Sequence, residues 1–387
     1  MKLAIVTHKV TRGDGQGRVN YEVAWEAIRR GYQVTLLASD IAPELEQNSQ
    51  VNWVPISEKS IPIAFLRNML FSWKSASWLY RNRSQLDLVK VNGAITSAPS
   101  DINAVHFVHT SWLKSPAHVW KQRRDLYGLY QWFYTALNAY WERQAFDRTK
   151  TIIAVSNKVT QELIEAGVPP DRIQMIANGV DLQEFHPGKA DRYKLGLPEQ
   201  VSLALFVGDI RTPRKNLDTI LKALAQVPEL HLAVVGATTG SPYPKLAEKL
   251  ALKERTHFLG YRQDVPELMR AADFFVFPSR YEACTLVLLE AMASGLPVIA
   301  ATTTGTAVPV SSDFGILLAD PDDTEALVNA LKQLSGNREL RLKMGQAARA
   351  IAEQYSWDLM AKSYLNLCEK LSKPTSTILV NSDASDL

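Results

Sequence analysis

Short apolar runs and amphipathic helical patterns follow one another along most of the chain. Near its beginning, Leu3–Thr7 predicts a buried strand, about Arg18–Arg30 predicts a helix, and Gln33–Ala38 predicts a second strand. A loop containing glycines joins the first strand to the helix. A strand, a glycine loop, a helix and a strand in this order predict a Rossmann-like unit.

The loop between that strand and helix contains Gly13, Gly15 and Gly17, which raises the question of a dinucleotide site. The G-x-G-x-x-G fingerprint fails, because Arg18 stands where the third glycine is needed. Asp40 does stand roughly where an acid binds the cofactor ribose, so nicotinamide binding remains an alternative. Glycines also let the backbone approach a ligand closely, and a plain tight turn is the other interpretation.

A second Rossmann-like unit begins at about Leu203–Val207, again with a strand, a loop and a helix. Pro187-Gly188 indicates a connector, and we place the boundary near 182–189. Later, Trp357–Leu371 predicts an amphipathic helix, and the polar end of the chain predicts disorder. The predicted divisions are residues 1–182, residues 183–355, a final helix at 356–372 and a disordered tail at 373–387.

Length and composition agree with two soluble domains. The chain has 387 residues, 46% of them hydrophobic and 21% charged, and its net charge of +3 is too small to argue for a nucleic-acid partner. Its two cysteines, Cys284 and Cys368, give neither a disulfide framework nor zinc spacing, which fits a reducing compartment. No apolar run reaches about 18 residues. We therefore expect a cytoplasmic protein without a membrane-spanning segment.

The most informative stretch is 278–301, which reads PSRYEACTLVLLEAMASGLPVIAA. A strand at Asp273–Phe277 precedes it, and a helix from about Thr285 to Ser294 follows, stopped by a glycine. Thr285 is a candidate N-cap, so free amide N–H groups near Cys284 and the first helical turn should face the space above the loop. Amides in this arrangement bind phosphate.

Two carboxylates mark this stretch. Glu282 lies just before the helix, and Glu290 lies inside it among leucine, alanine and methionine. Burying an isolated carboxylate in so apolar a run is strongly unfavourable. Either Glu290 is a structural residue paired with a cation, or it accepts hydrogen bonds from ribose hydroxyls while the helix start holds the phosphates.

With seven residues between them and AMASGLPVIA after them, Glu282 and Glu290 resemble the Glu-x7-Glu motif of retaining glycosyltransferases of family 4. The resemblance implies that Glu282 lies at the donor sugar and Glu290 at the nucleotide ribose. Family members usually have Gly-Phe after the first Glu, whereas this chain has Ala283-Cys284. We therefore expect a sugar pocket of different shape, while the peptide N–H groups at Cys284 and Thr285 can still bind phosphate.

The loop before the first helix of the second unit carries three cations, which oppose the helix dipole. A bound anion would resolve that conflict, and solvated surface cations are the alternative. In the resembled family a Gly-Arg-Leu…Lys-Asn loop grips the diphosphate. Lys215 and Asn216 match it, but Asp209 replaces the family's arginine and the loop is one residue longer. The resemblance gives the missing role to Arg211, with Arg214 as a rival.

Three further assignments follow from the same resemblance. His109 ends a predicted strand at Val105–Val108 and matches the His beside the donor sugar and acceptor, where it would orient the sugar and steady charge. A hydrogen-bonded structural histidine is the alternative. Gly15 and Gly17 would line the cleft near the diphosphate and the acceptor. Arg262 follows a later strand and would lie against the nucleotide base.

Residues 64–147 are unusually aromatic and basic, and eight of the nine Trp residues lie before position 142. Two long helices are predicted there, at about Ala64–Arg81 and Ala117–Phe146. Packing in the core or between the domains is favoured for Trp132, Phe133, Tyr140 and Trp141. The surplus of cations fits a helix face on anionic lipid, so peripheral contact with the inner face of the cytoplasmic membrane is a hypothesis.

The acidic segment Asp320–Asp323 resembles a DxD metal site, but a helix begins directly after it at Thr324. Carboxylate capping of that helix explains the acids better. The family resemblance agrees with this interpretation. We predict no catalytic metal and no cofactor, with a nucleotide-diphosphate sugar as the donor substrate.

The resemblance covers about Lys2–Leu371. It implies an α/β protein of GT-B architecture, with two Rossmann-like domains across a cleft and a C-terminal helix returning to the first domain. The implied activity is retaining transfer of a hexose from a nucleotide-diphosphate sugar to a hydroxyl acceptor on a glycan, glycolipid or small molecule, in cell-envelope, polysaccharide or glycolipid biosynthesis. A GT-B-like sugar-nucleotide epimerase or phosphorylase and a non-catalytic nucleotide-sugar binding protein remain alternatives.

Overall fold

The computed structural model describes residues 1–13, 15–57 and 64–372, so the tail predicted at 373–387 lies outside the described residues. Strands of the first half are β1 Lys2–Val6, β2 Lys9–Val10, β3 Gln33–Ala38, β4 Asp40–Ile41, β5 Val51–Pro55, β6 Leu88–Asn92, β7 Ser100–Val105, β8 Thr149–Ala154 and β9 Ile173–Met175. Seven of them form one parallel sheet in the order β5-β3-β1-β6-β7-β8-β9, and β2 pairs with β4 beside it.

The second half contains a separate parallel sheet. Its strands are β10 Ser202–Val207, β11 Leu230–Val235, β12 Thr256–Gly260, β13 Phe274–Phe277, β14 Val298–Ala301 and β15 Gly315–Leu318. They follow the order β12-β11-β10-β13-β14-β15. The predicted connector near 182–189 lies between the two sheets in the chain, while the domain bounds themselves stay predictions.

Helices connect the strands. Their bounds are α1 Gly15–Arg29, α2 Pro43–Glu46, α3 Ala64–Asn82, α4 His109–Lys114, α5 Val119–Gln122, α6 Leu126–Asp147, α7 Asn157–Glu165, α8 Leu217–Leu224, α9 Tyr243–Lys249, α10 Val265–Ala271, α11 Leu286–Ala293, α12 Thr324–Gly336, α13 Arg338–Ala352 and α14 Trp357–Ser372. None of the helices in the described ranges is long and apolar enough to cross a membrane.

Each sheet has its own hydrophobic core, because its central strands are covered on both faces. All residues of β13 and β14 are buried, as expected for the near-continuous apolar strands of a parallel sheet. One core gathers the apolar residues of the second half, and others lie on the two faces of the first sheet. The two Rossmann-like units predicted from the sequence are confirmed.

The carboxyl ends of the two sheets face each other. The Ser156 hydroxyl, just after β8, donates to the Ala283 carbonyl 2.7 Å away, which follows β13. The Lys158 ammonium donates to the Thr303 carbonyl, which follows β14, at 2.6 Å. Because loops at strand carboxyl ends hold the ligands of open α/β sheets, this junction is where a ligand is expected.

Helix α14 returns to the first domain, as the architecture predicted. Its Tyr364 and Leu365 are fully buried in the core of the first sheet. The crossing is close, because a Cβ on Gly179 would lie 2.4 Å from the Trp357 nitrogen. A short bridge between Val180 and Ser356 joins the outgoing and returning chains. The two domains are therefore linked by two adjacent chain segments.

Three local predictions are corrected. The helix predicted over 117–146 is interrupted, because Asp125 caps α6 by accepting a hydrogen bond from the Gly128 amide at 2.9 Å. The loop glycines Gly15 and Gly17 lie inside the first turn of α1. The aromatic residues expected in the interior lie largely at the surface, with exposed fractions of 36% for Trp132, 58% for Phe133 and 59% for Tyr140, while Trp141 is half-buried.

Candidate active site in the interdomain cleft

The loop after β13 reaches across the cleft and packs into the first domain. The Tyr281 ring lies between Phe107 and Trp112, with ring centroids 5.6 and 4.9 Å away. Its hydroxyl donates to the Glu162 carboxylate at 3.2 Å, and the Lys158 ammonium lies 4.1 Å from its ring centroid. Tyr281 therefore fixes the position of the next residue, Glu282, relative to both domains.

A second loop, 303–305, holds Glu282 by its backbone. The Glu282 amide donates to the Thr303 carbonyl at 3.3 Å, and the Gly305 amide donates to the Glu282 carbonyl at 2.8 Å. A Cβ on Gly305 would lie 2.4 Å from that carbonyl oxygen and 2.1 Å from the Ala283 carbonyl oxygen. Only glycine lets the two loops approach so closely.

The Glu282 carboxylate, which is 8% exposed, binds two cations of the predicted basic loop. The Lys215 ammonium donates to Oε1 at 2.5 Å, and the Arg214 guanidinium donates to the same oxygen at 2.7 Å. Burial lowers the pKa of Lys215, while the charge of Glu282 opposes that effect. We call Arg214, Lys215 and Glu282 the ion cluster.

Asn216 shapes the loop that presents these cations. It adopts a left-handed backbone conformation with φ of 64°, which Asn tolerates better than most residues. Its side-chain amide donates to the carbonyls of Pro278 and Pro321, at 3.0 and 2.6 Å. Arg280 closes the other side through Asp218, 2.8 Å away. These contacts hold the loop in place.

Arg211, the residue given the diphosphate role, does not join the ion cluster. Its guanidinium pairs with Asp209 at 2.8 Å and is 56% exposed. The structure brings the rival Arg214 to Glu282 instead, because the loop turns between the two arginines through a short 3-10 segment, Pro213–Lys215. Because the loop is one residue longer than in the family, aligning the two position by position does not show which arginine reaches Glu282.

The start of α11 lies against the start of α1. A Cβ on Gly15 would lie 3.1 Å from a terminal methyl group of Leu286, the first residue of α11. The Thr285 side chain makes no capping hydrogen bond, which corrects the predicted cap, and its own amide is bound to the Gly305 carbonyl at 2.9 Å. The amides of the first turn of α11 therefore remain for a ligand.

Cys284 contacts Asn178, which lies in the first domain shortly before the connector. The Asn178 side-chain amide lies 3.6 Å from its sulfur atom. Burial raises the pKa of the Cys284 thiol to about 12, so the sulfur stays protonated at neutral pH. Cys284 is thus a neutral packing group whose position fixes the backbone before α11.

Glu290 lies one turn after Leu286 on the same face of α11, which faces the start of α1. No described residue forms an ion pair or hydrogen bond with its carboxylate, so the paired structural interpretation is wrong for this part of the chain. Burial raises its pKa to about 7, and the nearby Glu184 adds to the effect. A hydroxyl donor on a ligand would satisfy it, and the ribose assignment stays a prediction.

His109 begins α4, whereas the preceding strand β7 already ends at Val105, which corrects the strand predicted at 105–108. Its amide donates to the Glu142 carboxylate at 3.0 Å. Burial lowers the pKa of the imidazole to about 4 and raises the pKa of Glu142 to about 8. The ring is therefore neutral near pH 7, and its Nδ1 atom is buried without a hydrogen-bond partner among the described residues.

Two other predicted positions lie elsewhere. Arg262 follows β12 and is paired with Asp264 two residues later, with Nε 2.7 Å from Oδ1. Asp40, the residue behind the dinucleotide alternative, lies in the small β2–β4 pair.

The acidic segment before α12 caps that helix, as predicted, because the Asp323 carboxylate accepts a hydrogen bond from the Ala326 amide at 2.9 Å. Within residues 1–13, 15–57 and 64–372, no three His, Cys, Asp or Glu residues form a group suited to a metal ion.

The sequence did not single out two groups of the site. These are Tyr281 and the loop 303–305. A sequence signal was present for both: an aromatic residue directly precedes Glu282, and Gly305 stands in a Thr-rich loop after β14. Their contacts join residues far apart in the chain, so no local pattern could pair them.

Two family models match the chain in succession. One, described as Glycosyltransferase Family 4, matches residues 13–184, and the other, described as Glycosyl transferases group 1, matches residues 188–351. The second match contains all six strands of the second sheet, and the first contains six of the seven strands of the first sheet, all except β1. The chain belongs to glycosyltransferase family 4. The family predicted from Glu282 and Glu290 is therefore confirmed.

Curated relatives of this family 4 member match over part of their length. The D-inositol 3-phosphate glycosyltransferase of Corynebacterium glutamicum (strain R) is 31% identical over 245 residues, 58% of this chain and 58% of that protein. The lipopolysaccharide glucosyltransferase WaaG of Escherichia coli (strain K12) is 32% identical over 230 residues, 56% of this chain and 61% of that protein. The chain thus spans less than two thirds of these relatives in the matched region.

Solved structures extend the likeness to nearly the whole chain. HepE from Anabaena, in complex with UDP and glucose, has a TM-score of 0.70 and 22% identity, and the match covers 95% of this chain and 99% of HepE. At this level of identity the likeness shows the fold. The GT-B architecture predicted from the sequence is confirmed.

Proposed function

We propose that this protein is a glycosyltransferase that moves a hexose from a nucleotide-diphosphate sugar to a hydroxyl acceptor, with retention of the anomeric configuration. The observation that carries the proposal is the ion cluster. Two cations, Arg214 and Lys215, converge on the single carboxylate Glu282, three residues before Thr285, the N-cap residue of α11. One positive charge is therefore left unbalanced at a helix start, where a diphosphate would bind.

The chemistry places different tasks on the two domains. The acceptor hydroxyl oxygen forms the new bond to the anomeric carbon of the donor, and the bond from that carbon to the diphosphate breaks. The bonding electrons leave with the nucleoside diphosphate, and a departing phosphate oxygen takes the hydroxyl proton. Lys215, Arg214 and the α11 amides would stabilise the charge that grows on the diphosphate, which is an electrostatic task for preorganised donors.

Glu282 and His109 would act on the sugar itself. A diphosphate competes with Glu282 for Lys215 and Arg214, because both ligands are anionic. Its arrival would free the carboxylate to orient the sugar. The neutral His109 ring, with its unpartnered Nδ1 atom, suits hydrogen bonding to a hydroxyl better than proton abstraction, since its pKa is lowered to about 4. Glu290 would bind the ribose.

A thermal-shift screen with UDP, GDP and ADP and their sugars tests the donor site, since a ligand that binds the folded state raises Tm. We expect one nucleoside diphosphate to raise Tm in the wild type and a smaller rise in Lys215→Ala. A radiolabelled donor incubated with and without an acceptor then separates transfer from epimerisation. Binding without any turnover in both arms would identify a non-catalytic nucleotide-sugar protein and refute the proposal.

We also propose that the protein contacts an anionic membrane through α6 and the segment before it. Phe133 and Tyr140 are exposed on α6 together with Tyr130. The preceding residues Lys121 and Arg124 are exposed cations. Exposed aromatic rings beside cations are typical of surfaces that rest on anionic lipid. WaaG, by name a lipopolysaccharide glucosyltransferase, gives a relative whose acceptor is a lipid, which supports the proposal.

Liposome flotation tests this contact. We expect the wild type to float with vesicles containing phosphatidylglycerol and not with pure phosphatidylcholine. The double variant Phe133→Ser, Tyr140→Ser should lose flotation, and Leu317→Ser, at an exposed position of the other domain, should retain it. Flotation that is independent of anionic lipid would remove the proposal.

A further inference from the structure

The first domain contains a cavity of about 420 Å³ at the carboxyl edge of its sheet. Helices α3 and α6 form its walls, and the residues that follow β6 and the start of α1 form its floor. Its lining borders the interdomain cleft: Gln16 in the lining is next to Gly15, which faces Leu286 of α11. His109, also in the lining, is next in space to Phe107, which packs on Tyr281.

Asn92 is the central polar group of this cavity. It is 5% exposed, and its Oδ1 accepts a hydrogen bond from the buried Lys90 amine at 3.4 Å. This contact fixes the amide orientation, because Lys90 donates and the carbonyl oxygen must therefore face it. The Nδ2 atom is left buried without a partner among the described residues. A buried donor without a partner in a cavity lining points to an acceptor atom on a ligand.

The rest of the lining is aromatic and neutral. Trp73 is exposed at the mouth, and Trp141 lies in the wall, where it stacks on Phe65 with ring centroids 5.5 Å apart. Amide and hydroxyl side chains supply most of the remaining polar atoms, among them Asn68, Ser72, Asn138 and Gln144. No carboxylate is among the described residues of the lining.

Arg148 is the single cation of the described lining, and it is already engaged. Its guanidinium donates to the Ser97 carbonyl at 3.0 Å and approaches Gln144 Oε1 at 3.4 Å. A phosphate-bearing acceptor needs free cations or a row of amides. A sugar ring instead needs hydrogen-bonding groups for its hydroxyls and an aromatic face for its apolar side.

We infer that this cavity is the acceptor site and that it takes an uncharged sugar ring, with Asn92 bonding one of its hydroxyls and Trp73 and Trp141 covering its faces. The inference rests on the proposed function, since it names the acceptor class of that reaction. It also separates this protein from a relative that is named for an inositol phosphate. The sugar is either free in solution or the headgroup of a glycolipid.

Saturation-transfer NMR on the full chain with UDP present measures acceptor binding without turnover. The probes are the methyl glycosides of glucose, galactose and mannose, with inositol 1-phosphate as the charged comparator. We expect at least one methyl glycoside to bind and the inositol phosphate to bind more weakly. Dissociation constants for that glycoside should rise about five- to tenfold in Asn92→Ala and in Trp73→Ala, the loss expected for one hydrogen bond or one ring contact.

Tyr80→Ala is the matched control, because Tyr80 is exposed on the same helix as Trp73 but outside the cavity. It should bind the glycoside as the wild type does. Trp73→Ala removes an exposed side chain and keeps the test valid if the buried Asn92 variant folds poorly. Preference for inositol phosphate, or glycoside binding that neither variant weakens, would overturn the inference.

The donor side is tested separately by the rise in Tm with the nucleoside diphosphate that binds in the screen. A rise in every variant, with lost glycoside binding, supports the acceptor site. If none of UDP, GDP and ADP raises Tm in the wild type, the proposed function fails before the acceptor question arises. An octyl glucoside analogue in phosphatidylcholine vesicles distinguishes the two sources: tighter binding on vesicles assigns a glycolipid headgroup, and equal binding assigns a free sugar.

Discussion

On the second-domain wall of the cleft the cations of the ion cluster are paired, whereas the first-domain wall leaves neutral polar atoms buried without partners. On the second-domain wall, Lys215 and Arg214 share one oxygen of Glu282. On the first-domain wall, Asn92 Nδ2 and His109 Nδ1 are buried and unpartnered among the described residues. Charged groups are costly to bury alone, so the cations are paired, and Glu290, which has no partner among the described residues, has a raised pKa instead.

Neutral groups can remain unpaired in the free protein, because burying an unpaired neutral donor costs less free energy than burying an unpaired charge. We call the second-domain wall the donor wall and the first-domain wall the acceptor wall, after the roles proposed for them. At the donor wall a diphosphate would replace Glu282 as the partner of Lys215 and Arg214, so electrostatics would decide the geometry. At the acceptor wall a ligand would accept a hydrogen bond from Asn92, so packing and amide orientation would decide it.

The largest effect is expected from removing the cation that lies deepest in the ion cluster. Lys215→Ala should lower kcat by about 100- to 1000-fold, the range for losing one preorganised donor to a developing anion. Steady-state kinetics with the donor found in the screen would measure it. Lys245→Ala, an exposed lysine of the same domain, should change kcat less than twofold. Equal losses in both variants would point to general charge effects and not to the cluster.

A second prediction tests the backbone that supports the donor wall. In Gly305→Ala the new Cβ would lie 2.1 Å from the Ala283 carbonyl oxygen, so the loop carrying Glu282 must shift. We expect Tm to fall by several degrees, roughly 2–4 °C per kcal/mol lost, together with about a tenfold loss of kcat. Differential scanning fluorimetry and kinetics measure the two effects.

Gly13→Ala serves as the control for that variant, because a Cβ there meets nothing within 4 Å. It should leave both Tm and kcat unchanged. If Gly305→Ala lowers Tm without lowering kcat, then the loop 303–305 stabilises the domain but does not position Glu282.

Much of this architecture could be predicted from the sequence because the signals are local. Apolar runs located the strands, and the acidic segment ending at Asp323 located a helix start through its cap, as the structure shows. The spacing of Glu282 and Glu290 identified the family. Local signals of this kind can be interpreted without knowledge of the tertiary structure.

The remainder depends on long-range contacts. Tyr281 bonds Glu162 across 119 residues, and Lys90 bonds Asn20 across 70 residues, so neither pair has a local signature. The exposed aromatic residues of α6 were predicted to be buried, because ring content alone does not say which face of a helix is covered. The sequence could not distinguish Arg211 from Arg214 either, because the turn of the loop decides which of them reaches Glu282.

The proposed contact between Glu290 and the nucleotide ribose predicts that nucleotide affinity depends on pH. Burial raises the pKa of Glu290 to about 7 in the free protein. A ribose that donates to the carboxylate binds the deprotonated form, so nucleotide affinity should rise with pH by up to about tenfold per unit below 7 and level off above it. Calorimetric titration of UDP from pH 5.5 to 8.5 measures this.

The comparison with Glu290→Gln removes the contribution of the nucleotide's own phosphate titration, which is common to both proteins. In the variant the extra slope below pH 7 should disappear. Identical slopes in the two proteins would show that Glu290 does not meet the nucleotide.

The smallest effect is expected for Arg211→Ala, although this arginine was the first choice from the sequence. Its guanidinium is exposed and its partner, Asp209, is two residues away, so the pair is worth little. We expect kcat/KM to change by less than about twofold, whereas Arg214→Ala, which removes a contact to Glu282, should lower it by about tenfold or more. Both variants lose one positive charge from the same loop, so the overall electrostatic attraction of the donor falls equally. A larger loss in Arg211→Ala would mean that donor binding rebuilds the loop and exchanges the two arginines.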